Sequence, residues 1–328
     1  MKKILITGSN GFIGTNLVEI LRDQNWDYSA CLVDVAEPKI PLQSNEEWAN
    51  VDIMDQAAVM ACFDKFKPTV VVHLAAQTNT FPHLVLQDYI VNTKGAEIIF
   101  DACQANGVEF VVHTSTQFVH QTDTQPVSDT DYAPHTVYGQ SKVISENTLR
   151  GSKYTFNWSI IRPTNVWGKW HLRYPYEFWK VVRDGKYFHP NNKSVVRSYA
   201  YVGNVCLQIV EIIKRQHEPA ISRQVFYVGD RPINLYDWAN AFSLSIKKRK
   251  VTLIPLFLLY SVAVFGTLLQ KFKIKFPITI SRYKSMTSDN PAPMEKTMKV
   301  LGESHYTLQQ GVDITTEWLL KFWKDKNI

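Results

Sequence analysis

Short, continuous apolar runs alternate with amphipathic stretches along the first half of the chain. The runs lie at 4–7, 28–33, 69–76 and 108–114, and helical patterns separate them at 12–21, 55–66 and 85–106. Residues 40–50 have a loop pattern, and 51–53 form a further brief strand. Apolar strands of this kind are buried on both faces of a parallel sheet. Their alternation with helices predicts an α/β fold with one doubly wound parallel sheet of the Rossmann type, whose ligands lie beyond the carboxyl ends of the strands.

Three glycines follow the first strand. Gly8, Gly11 and Gly14 separate this strand from the helical pattern that starts at Phe12 and Ile13. The first glycine allows a turn that a Cβ would resist, the second lets a pyrophosphate approach the backbone, and the third lets the helix pack on the strand. The free N–H groups of the first helical turn then face the anion. The pattern predicts a dinucleotide site.

Two acidic residues are candidates for the adenosine end of that dinucleotide. Asp34 follows the second strand about 20 residues after Gly14, where such folds meet the ribose. A carboxylate there accepts hydrogen bonds from both ribose hydroxyls and repels a 2′-phosphate, which favours NAD over NADP. The alternative is that Asp34 only ends a strand in a turn. Asp52, next to Ile53, is expected to reach the adenine.

Small and polar residues end the next two strands. Leu74, Ala75 and Ala76 let a ring lie close to the backbone, and Thr114 opens a polar cluster that continues to Gln117. Since the carboxyl ends of parallel strands share one edge, we expect both groups at the ligand site.

A helical stretch near 135 carries Tyr138 and Lys142. Residues at i and i+4 project from one helix face, so the two head groups can meet. A phenol has an unperturbed pKa of ~10. A neighbouring ammonium and a positive nicotinamide ring would favour the phenolate and lower that pKa. The pair is therefore a candidate acid/base for interconverting an alcohol and a ketone.

Composition narrows the class of protein. With 328 residues, 45% hydrophobic and 20% charged, the chain resembles an ordinary soluble protein that can bury a large core. Four scattered cysteines without a CxxC pair, and no apolar leader before the first strand, predict a reducing cytoplasm. The net charge of +6 is modest, and no basic stripe interleaved with aromatics suggests nucleic-acid binding. We expect no metal site.

These stretches together resemble the extended short-chain dehydrogenase/reductase family, the NAD-dependent epimerase/dehydratase group of the UDP-galactose 4-epimerase type. The matching segments are 7–14, Asp34, 52–53, 73–76, 92–95, 114–116, 138–142 and 162–168, and looser matches continue to the end of the chain. The resemblance implies an NAD-binding domain over about 1–168 and a smaller α/β substrate domain over about 169–328. Segments near 197–230 would return to the first domain.

The resemblance also implies residue roles. Tyr138 would transfer the proton, Lys142 would lower its pKa and hold the nicotinamide ribose, and Thr116 would bind the reacting hydroxyl. The remaining implied contacts are Asn92 near the nicotinamide, Pro163 and Thr164 at its carboxamide, and Gln117, Asn165 and Arg197 at the substrate. For Arg197, a solvated surface arginine is the alternative.

The chain departs from the family at the substrate. The 4,6-dehydratases carry Asp-Glu directly after the threonine, whereas this chain has Gln117 and Phe118, which argues against a dehydratase. We therefore expect an epimerase or oxidoreductase that acts on a secondary hydroxyl of a nucleotide sugar, and a homodimer. A dehydrogenase or ketoreductase of the 3β-hydroxysteroid or dihydroflavonol type is the alternative. A non-catalytic NAD sensor is the second, which the presence of Thr116, Tyr138 and Lys142 disfavours.

An apolar segment at 251–269 has basic residues on both sides, the Lys-Lys-Arg-Lys run at 247–250 before it and Lys271, Lys273 and Lys275 after it. Spanning a bilayer takes about 20 apolar residues, and Pro255 shortens the usable helix. An interfacial helix at the membrane fits better. The alternative is a helix that covers the substrate domain or a dimer interface.

Overall fold

The computed structural model describes residues 2–327, except 122, 123, 192, 193, 273, 275 and 277. The strands are β1 Lys2–Thr7, β2 Tyr28–Asp34, β3 Glu46–Asn50, β4 Val70–His73, β5 Phe110–Thr114, β6 Asn157–Pro163, β7 Asn165–Trp167, β8 Phe188–Pro190, β9 Val196–Arg197, β10 Tyr199–Tyr201, β11 Gln224–Val228, β12 Ile233–Asn234 and β13 Thr252–Ile254. The α-helices are α1 Phe12–Arg22, α2 Gln56–Phe66, α3 Ala96–Ala105, α4 Val137–Arg150, α5 Phe178–Arg183, α6 Val202–Lys214, α7 Leu235–Lys247, α8 Leu256–Lys271, α9 Ile280–Thr287, α10 Glu295–Leu301 and α11 Leu308–Asp325.

Seven strands form one sheet in the order β11-β6-β5-β4-β1-β2-β3. Every neighbouring pair in it is parallel. The central strands are apolar and fully buried, since β4 reads Val-Val-Val-His and β5 Phe-Val-Val-His-Thr without an exposed position. This is the predicted doubly wound α/β sheet, and that prediction is confirmed.

The chain divides into two compact units. The first consists of 1–166, 200–230 and 293–305, and the second of 167–199, 231–292 and 306–328. The first unit contains the seven-stranded sheet. The predicted division does not assign the segment 293–305, which includes α10, to the first unit. Its short helical pattern contains no feature that predicts packing against strands so distant in the sequence.

Two predicted elements differ from the structure. The third strand of the sheet in sequence order is β3 at 46–50, inside the predicted loop, whereas 51–53 is not a strand. Edge strand β3 pairs with β2 on one side only, so it lacks the apolar pattern of a buried strand. The helix predicted over 85–106 is three elements: a 3₁₀ turn at Leu86–Tyr89, a π-helical turn at Val91–Gly95, and α3. Ile90, between the two turns, is exposed.

The second unit is built around aromatic side chains. The Trp238 ring on α7 stacks between Phe178, at 4.6 Å, and Tyr199, at 4.2 Å. Trp179 and Phe242 are fully buried beside it. Helices α8 and α9 pack on each other in the same unit. Aromatic packing thus provides the core of this unit, where the sheets have only two strands.

Candidate active site

The loop between β1 and α1 is closely packed. Gly8 has a φ of +70°, and a Cβ on it would lie 2.7 Å from the backbone nitrogen of Ala75, in the loop after β4. A Cβ on Gly14 would lie 2.2 Å from the carbonyl oxygen of Gly8. No side chain caps α1, and the N-terminus of a helix has the geometry and the partial positive charge that bind an anion.

Asp34 is tied to the glycine loop. Its Oδ2 accepts a hydrogen bond from the backbone N–H of Asn10 at 2.9 Å, and its Oδ1 accepts from that of Ala36 at 3.0 Å. Each carboxylate oxygen keeps a further lone pair for a ribose hydroxyl. Asp52 is exposed and accepts from the N–H of Met54 at 2.9 Å, while Ile53 is buried beside α3 in the core cluster. Asp34 thus also orders the loop, in addition to its predicted role.

Helix α4 carries the candidate acid/base. The Thr136 hydroxyl caps it by accepting from the N–H of Gly139 at 2.9 Å. In this first turn, the buried phenol of Tyr138 hydrogen-bonds the Thr116 side chain, which lies just after β5. The Lys142 ammonium is also buried and donates to the Thr114 carbonyl at 2.9 Å. The structure therefore brings together the three predicted catalytic residues at the carboxyl end of β5.

Burial dominates the titration of this pair. It raises the pKa of Tyr138 to about 12, against the opposing hydrogen bond from Thr116. Burial also lowers the pKa of Lys142 to about 8, against the opposing charge of Glu146. The sequence-based expectation of a lowered phenol pKa is therefore wrong for the protein without cofactor, because desolvation of the phenolate outweighs the polar neighbours. Tyr138 holds its proton at neutral pH in this state.

Several buried polar atoms around this point have no hydrogen-bond partner among the described residues. They are the hydroxyls of Ser9, Thr114, Ser115 and Thr164 and both ends of the Gln117 amide. Leaving such atoms unpaired costs about 1–3 kcal/mol each, and native proteins tolerate this where a ligand completes the bonds. With the uncapped helix and Asp34, these atoms fit a dinucleotide such as NAD.

Asn92 contributes through the protein rather than through free polar atoms. Its Nδ2 donates to the Gln77 carbonyl and the Ser141 hydroxyl, each at 2.9 Å, and its Oδ1 accepts from the Gln77 N–H at 2.8 Å. The π-helical turn that holds it thus connects the loop after β4 to α4. Asn92 therefore fixes the half-buried Leu74–Ala76 loop relative to Tyr138.

A buried ion-pair network lies behind Lys142 and was not predicted. The Arg162 guanidinium on β6 binds both oxygens of Glu146, at 2.9 and 2.8 Å, and neither side chain is exposed. Tyr132 donates to the same carboxylate at 2.8 Å. Glu146 is one turn after Lys142, and its charge acts to raise the lysine pKa. The spacing of Tyr138, Lys142 and Glu146 on one helix face is a signal that the sequence contained.

Two neighbouring histidines are unsuited to proton transfer. His73 and His113 face each other across β4 and β5, with ring centroids 5.5 Å apart. Burial, with the charge of Lys142, lowers the pKa of His73 to about 3 and that of His113 well below its usual value. Both are neutral at physiological pH, which leaves the phenol as the titratable group closest to Thr116.

The family model for the RmlD substrate binding domain matches residues 1–256. The chain belongs to this family. It is accordingly an extended short-chain dehydrogenase/reductase enzyme, and the predicted family and enzyme class are confirmed.

Individual relatives are similar over most of their length. The chain is 24% identical to an N-acetyl-α-D-glucosaminyl-diphospho-ditrans,octacis-undecaprenol 4-epimerase from Escherichia coli O157:H7, over 96% of this chain and 94% of the relative. It is 24% identical to a 3β-hydroxysteroid dehydrogenase/Δ5→4-isomerase from Mycobacterium tuberculosis, over 73% and 68%. The UDP-glucuronic acid 4-epimerase from Bacillus cereus, solved with UDP-glucuronic acid and NAD, shares its fold with a TM-score of 0.74 at 18% identity, over 98% and 99%.

The residues predicted at the carboxamide, Pro163 and Thr164, and two of those predicted at the substrate, Gln117 and Asn165, belong to the first unit. Thr164 is buried and Asn165 is half-buried. Arg197 belongs to the second, where its guanidinium donates to the carbonyls of Ser285 and Ser288, at 2.5 and 3.1 Å. Arg197 therefore caps the end of α9. Its role toward a substrate stays a prediction.

The sequence pattern did not single out Arg282, a second arginine of the second unit. Arg282 on α9 makes no ion pair with any described residue, and its charge acts on three tyrosines of the aromatic core. Burial raises the pKa of Tyr199, and the charges of Arg197 and Arg282 oppose that rise. Burial also raises the pKa of Tyr174 and of Tyr187, and the charge of Arg282 opposes both rises. No spacing in the sequence links Arg282 to residues a hundred positions earlier.

Proposed function

We propose that the protein is an NAD-dependent enzyme that oxidises or epimerises a secondary hydroxyl of a nucleotide-activated sugar, in surface-polysaccharide or nucleotide-sugar metabolism. The observation that carries this is the meeting of Thr116, Tyr138 and Lys142 at the sheet edge where the glycine loop and Asp34 also lie. The E. coli relative and the B. cereus neighbour, both sugar-diphosphate 4-epimerases by name, support the same chemistry.

The cofactor contacts proposed for this chain follow from the site. Gly8, Gly11 and Gly14 with the N-terminus of α1 would hold the pyrophosphate, and Asp34 the ribose. The other proposed contacts are Phe12, Ile13, Asp52, Ile53, Leu74, Ala75, Ala76, Asn92, Thr114, Tyr138, Lys142, Pro163 and Thr164. When bound, NAD supplies a hydride acceptor and, in its oxidised form, a positive charge.

The protein groups handle the proton. Thr116 orients the substrate hydroxyl beside the Tyr138 phenol, and Tyr138 takes the proton of that hydroxyl as the alcohol becomes a ketone. Lys142 stabilises the phenolate through its charge, since an opposite charge nearby favours the ionised form. If the ketone turned over in the site and received the hydride on its other face, Tyr138 would return the proton to its oxygen, and the net reaction would be an epimerisation. Release of the ketone instead makes the enzyme a dehydrogenase.

Location and assembly are also proposed. All four cysteines are free thiols, and three of them are buried, as expected in a reducing cytoplasm. A homodimer is proposed from the family resemblance. The second candidate function is oxidation of a lipid-like secondary alcohol, which the similarity to the M. tuberculosis steroid dehydrogenase favours.

The test is a substrate panel with product analysis. Purified enzyme and NAD are incubated with UDP-, GDP- and dTDP-sugars and, separately, with a 3β-hydroxysteroid, while reduced cofactor and product stereochemistry are followed. Epimer without net reduced cofactor identifies an epimerase, and accumulation of reduced cofactor a dehydrogenase. Turnover of the steroid alone would replace the sugar proposal by the second candidate.

Tyr138→Phe tests the mechanism in the same assay. Loss of the acid/base lowers kcat at least ~100-fold with NAD binding retained. Tyr154→Phe is the matched control, because this buried phenol hydrogen-bonds Asp101 at 2.9 Å, at the amino end of β6. Undiminished turnover in Tyr138→Phe would overturn the assignment.

A further inference from the structure

Helix α8 of the second unit exposes an apolar stripe. Phe257, Phe265, Leu268 and Phe272 lie on one helix face and are 74%, 57%, 49% and 76% exposed. The opposite face, with Leu259, Ala263 and Gly266, is buried. Three largely exposed phenylalanines in one stripe form the kind of apolar patch that marks an interaction surface. We name these four exposed residues the α8 stripe.

The sequence around the stripe is strongly basic. Between 247 and 288 it contains no Asp or Glu, and its basic residues are Lys247, Lys248, Arg249, Lys250, Lys271, Lys273, Lys275, Arg282 and Lys284. Lys273 and Lys275 are outside the described residues. Since the whole chain has a net charge of +6, the rest of the protein is net acidic. The positive charge is therefore concentrated at the stripe.

The described cations near the stripe are free to meet an external anion. Lys248, Arg249 and Lys250 precede α8, and Lys271 ends it; all four are exposed. None of them makes an ion pair with a described acidic residue. An apolar face between free cations matches the composition of a helix that lies in the membrane interface.

The length of α8 decides how it meets a bilayer. Its 16 residues extend about 24 Å, less than the ~30 Å of a hydrocarbon core. Among the described residues, no helix is long and apolar enough to cross a membrane. The α8 stripe runs along one side of the helix and does not encircle it. Helix α8 therefore fits an orientation parallel to the membrane surface, with the phenylalanines among the acyl chains.

We propose that the α8 stripe and its basic flanks dock this enzyme on a membrane surface that contains anionic lipid. Charge complementarity selects this occupant. A two-fold interface would bring the same patch of each copy together, and so would place one positive cluster against another. Each Lys or Arg is instead attracted by the negative surface potential of anionic lipids. The docking needs no part of the proposed catalytic function.

The experiment is sedimentation of the full-length protein with vesicles. Vesicles of phosphatidylcholine alone are compared with vesicles that also contain phosphatidylglycerol, at low and high salt. We expect at least a ~10-fold higher bound fraction on the anionic vesicles at low salt and a marked loss at high salt. Absence of binding to anionic vesicles at low salt would overturn the proposal.

Variants separate the two parts of the surface. Phe257→Ser with Phe265→Ser and Phe272→Ser should abolish vesicle binding, and Lys248→Gln with Arg249→Gln and Lys250→Gln should remove the preference for anionic lipid. Phe81→Ser replaces a phenylalanine of the first unit that is 52% exposed, close to the 57% of Phe265; it is the control and should bind as the wild type does.

Two further readouts keep the result interpretable. Because the substituted side chains are exposed, thermal unfolding of each variant should match the wild type, and turnover of a soluble nucleotide sugar should be unchanged. The proposal would fail if the triple phenylalanine variant bound vesicles as the wild type does. It would also fail if the only effect of the substitutions were to convert a wild-type dimer into monomers, because the stripe would then be a protein interface. Loss of turnover in Tyr138→Phe alone concerns the proposed function and leaves docking intact.

Discussion

Single residues show where this fold gives up stability for chemistry. Gln117 is 8% exposed, and neither end of its amide has a partner among the described residues. An amide in that state is a net cost to folding, so its presence is best explained by a ligand that completes its hydrogen bonds. The sequence singled out Gln117 only because it replaces the acid of the dehydratases. Its unpaired burial is visible only in the fold.

Replacing Gln117 by Leu tests this explanation. The apolar side chain removes the unpaired amide, so the free energy of unfolding should stay equal or rise, while KM for the substrate should increase at least ~10-fold because a polar contact is lost. Urea unfolding and steady-state kinetics measure the two effects. A loss of stability without a change in KM would show that the amide serves the fold.

Lys142 links stability to pH. Its pKa falls from 10.5 to about 8 on burial. Between these two values the unfolded chain binds the lysine proton and the native protein does not, so stability rises with pH there, and the burial penalty is fully present below pH 8. Between pH 7 and 9.5 the gain should be about 2 kcal/mol. Lys142→Met should lack it.

The measurement is urea unfolding of both proteins across that pH range. The difference between wild type and Lys142→Met isolates the lysine, because other titrating groups are common to both. Parallel pH profiles for the two proteins would contradict the depressed lysine pKa. The variant should also lose turnover, since the phenolate of Tyr138 would have no neighbouring ammonium.

Among the elements, the connection from β1 to α1 was predictable in detail. Its glycines precede a strongly periodic helix, and Gly8 adopts the left-handed conformation that only glycine adopts without strain. The 85–106 segment was not, because its apolar positions resemble those of one continuous helix, whereas the 3₁₀ turn and the π-helical turn that interrupt it are seen only in the fold. Asn92 sits in that turn, and its contacts to Gln77 and Ser141 explain why the turn is there.

Gly8→Ala tests the loop at this scale. The added Cβ would lie 2.7 Å from the Ala75 nitrogen, so the loop must shift and NAD affinity should fall at least ~10-fold, since the anion site depends on close backbone approach. Gly107→Ala is the matched control: it has a φ of +65° and nothing within 4 Å of the new Cβ. Both variants should lose some stability from backbone strain.

Fluorescence titration with NAD reads out both variants. Only Gly8→Ala should bind weakly, because Gly107 lies outside the loop. An equal loss of affinity in the two variants would attribute the effect to general destabilisation rather than to the loop.

At the scale of the molecule, the first unit is assembled from three separate chain segments. Strand β11 pairs with β6 along its whole length, from Gln224 opposite Ser159 to Val228 opposite Pro163. The Thr297 hydroxyl on α10 donates to the Tyr227 carbonyl at 2.6 Å. The family resemblance predicts a returning segment near 197–230, and the sequence did not predict the part of the first unit at 293–305. Apolar patterns specify that a strand is buried, not which strand it pairs with.

A chain that ends at residue 168 should therefore not fold cooperatively. It would expose the β6 edge and lose the buried Val225, Phe226 and Val228, even though it contains every predicted catalytic residue. Circular dichroism and urea unfolding would show a broad, weak transition and no NAD binding. A sharp transition like that of the full chain would refute this dependence on later segments.

The sequence by itself determined the fold class, the glycine loop, Asp34 and the Tyr138–Lys142 pair, because these depend on local periodicity and on spacings within a few turns. Tertiary structure decided what required distant groups to meet: the Thr116 contact to Tyr138, the Arg162–Glu146 pair, the unpaired Gln117 and the returning segments. It also decided the phenol pKa, since desolvation depends on everything packed around a group. Tertiary structure also decided which face of α8 is exposed, because the opposite face packs in the second unit, where α8 contacts α9.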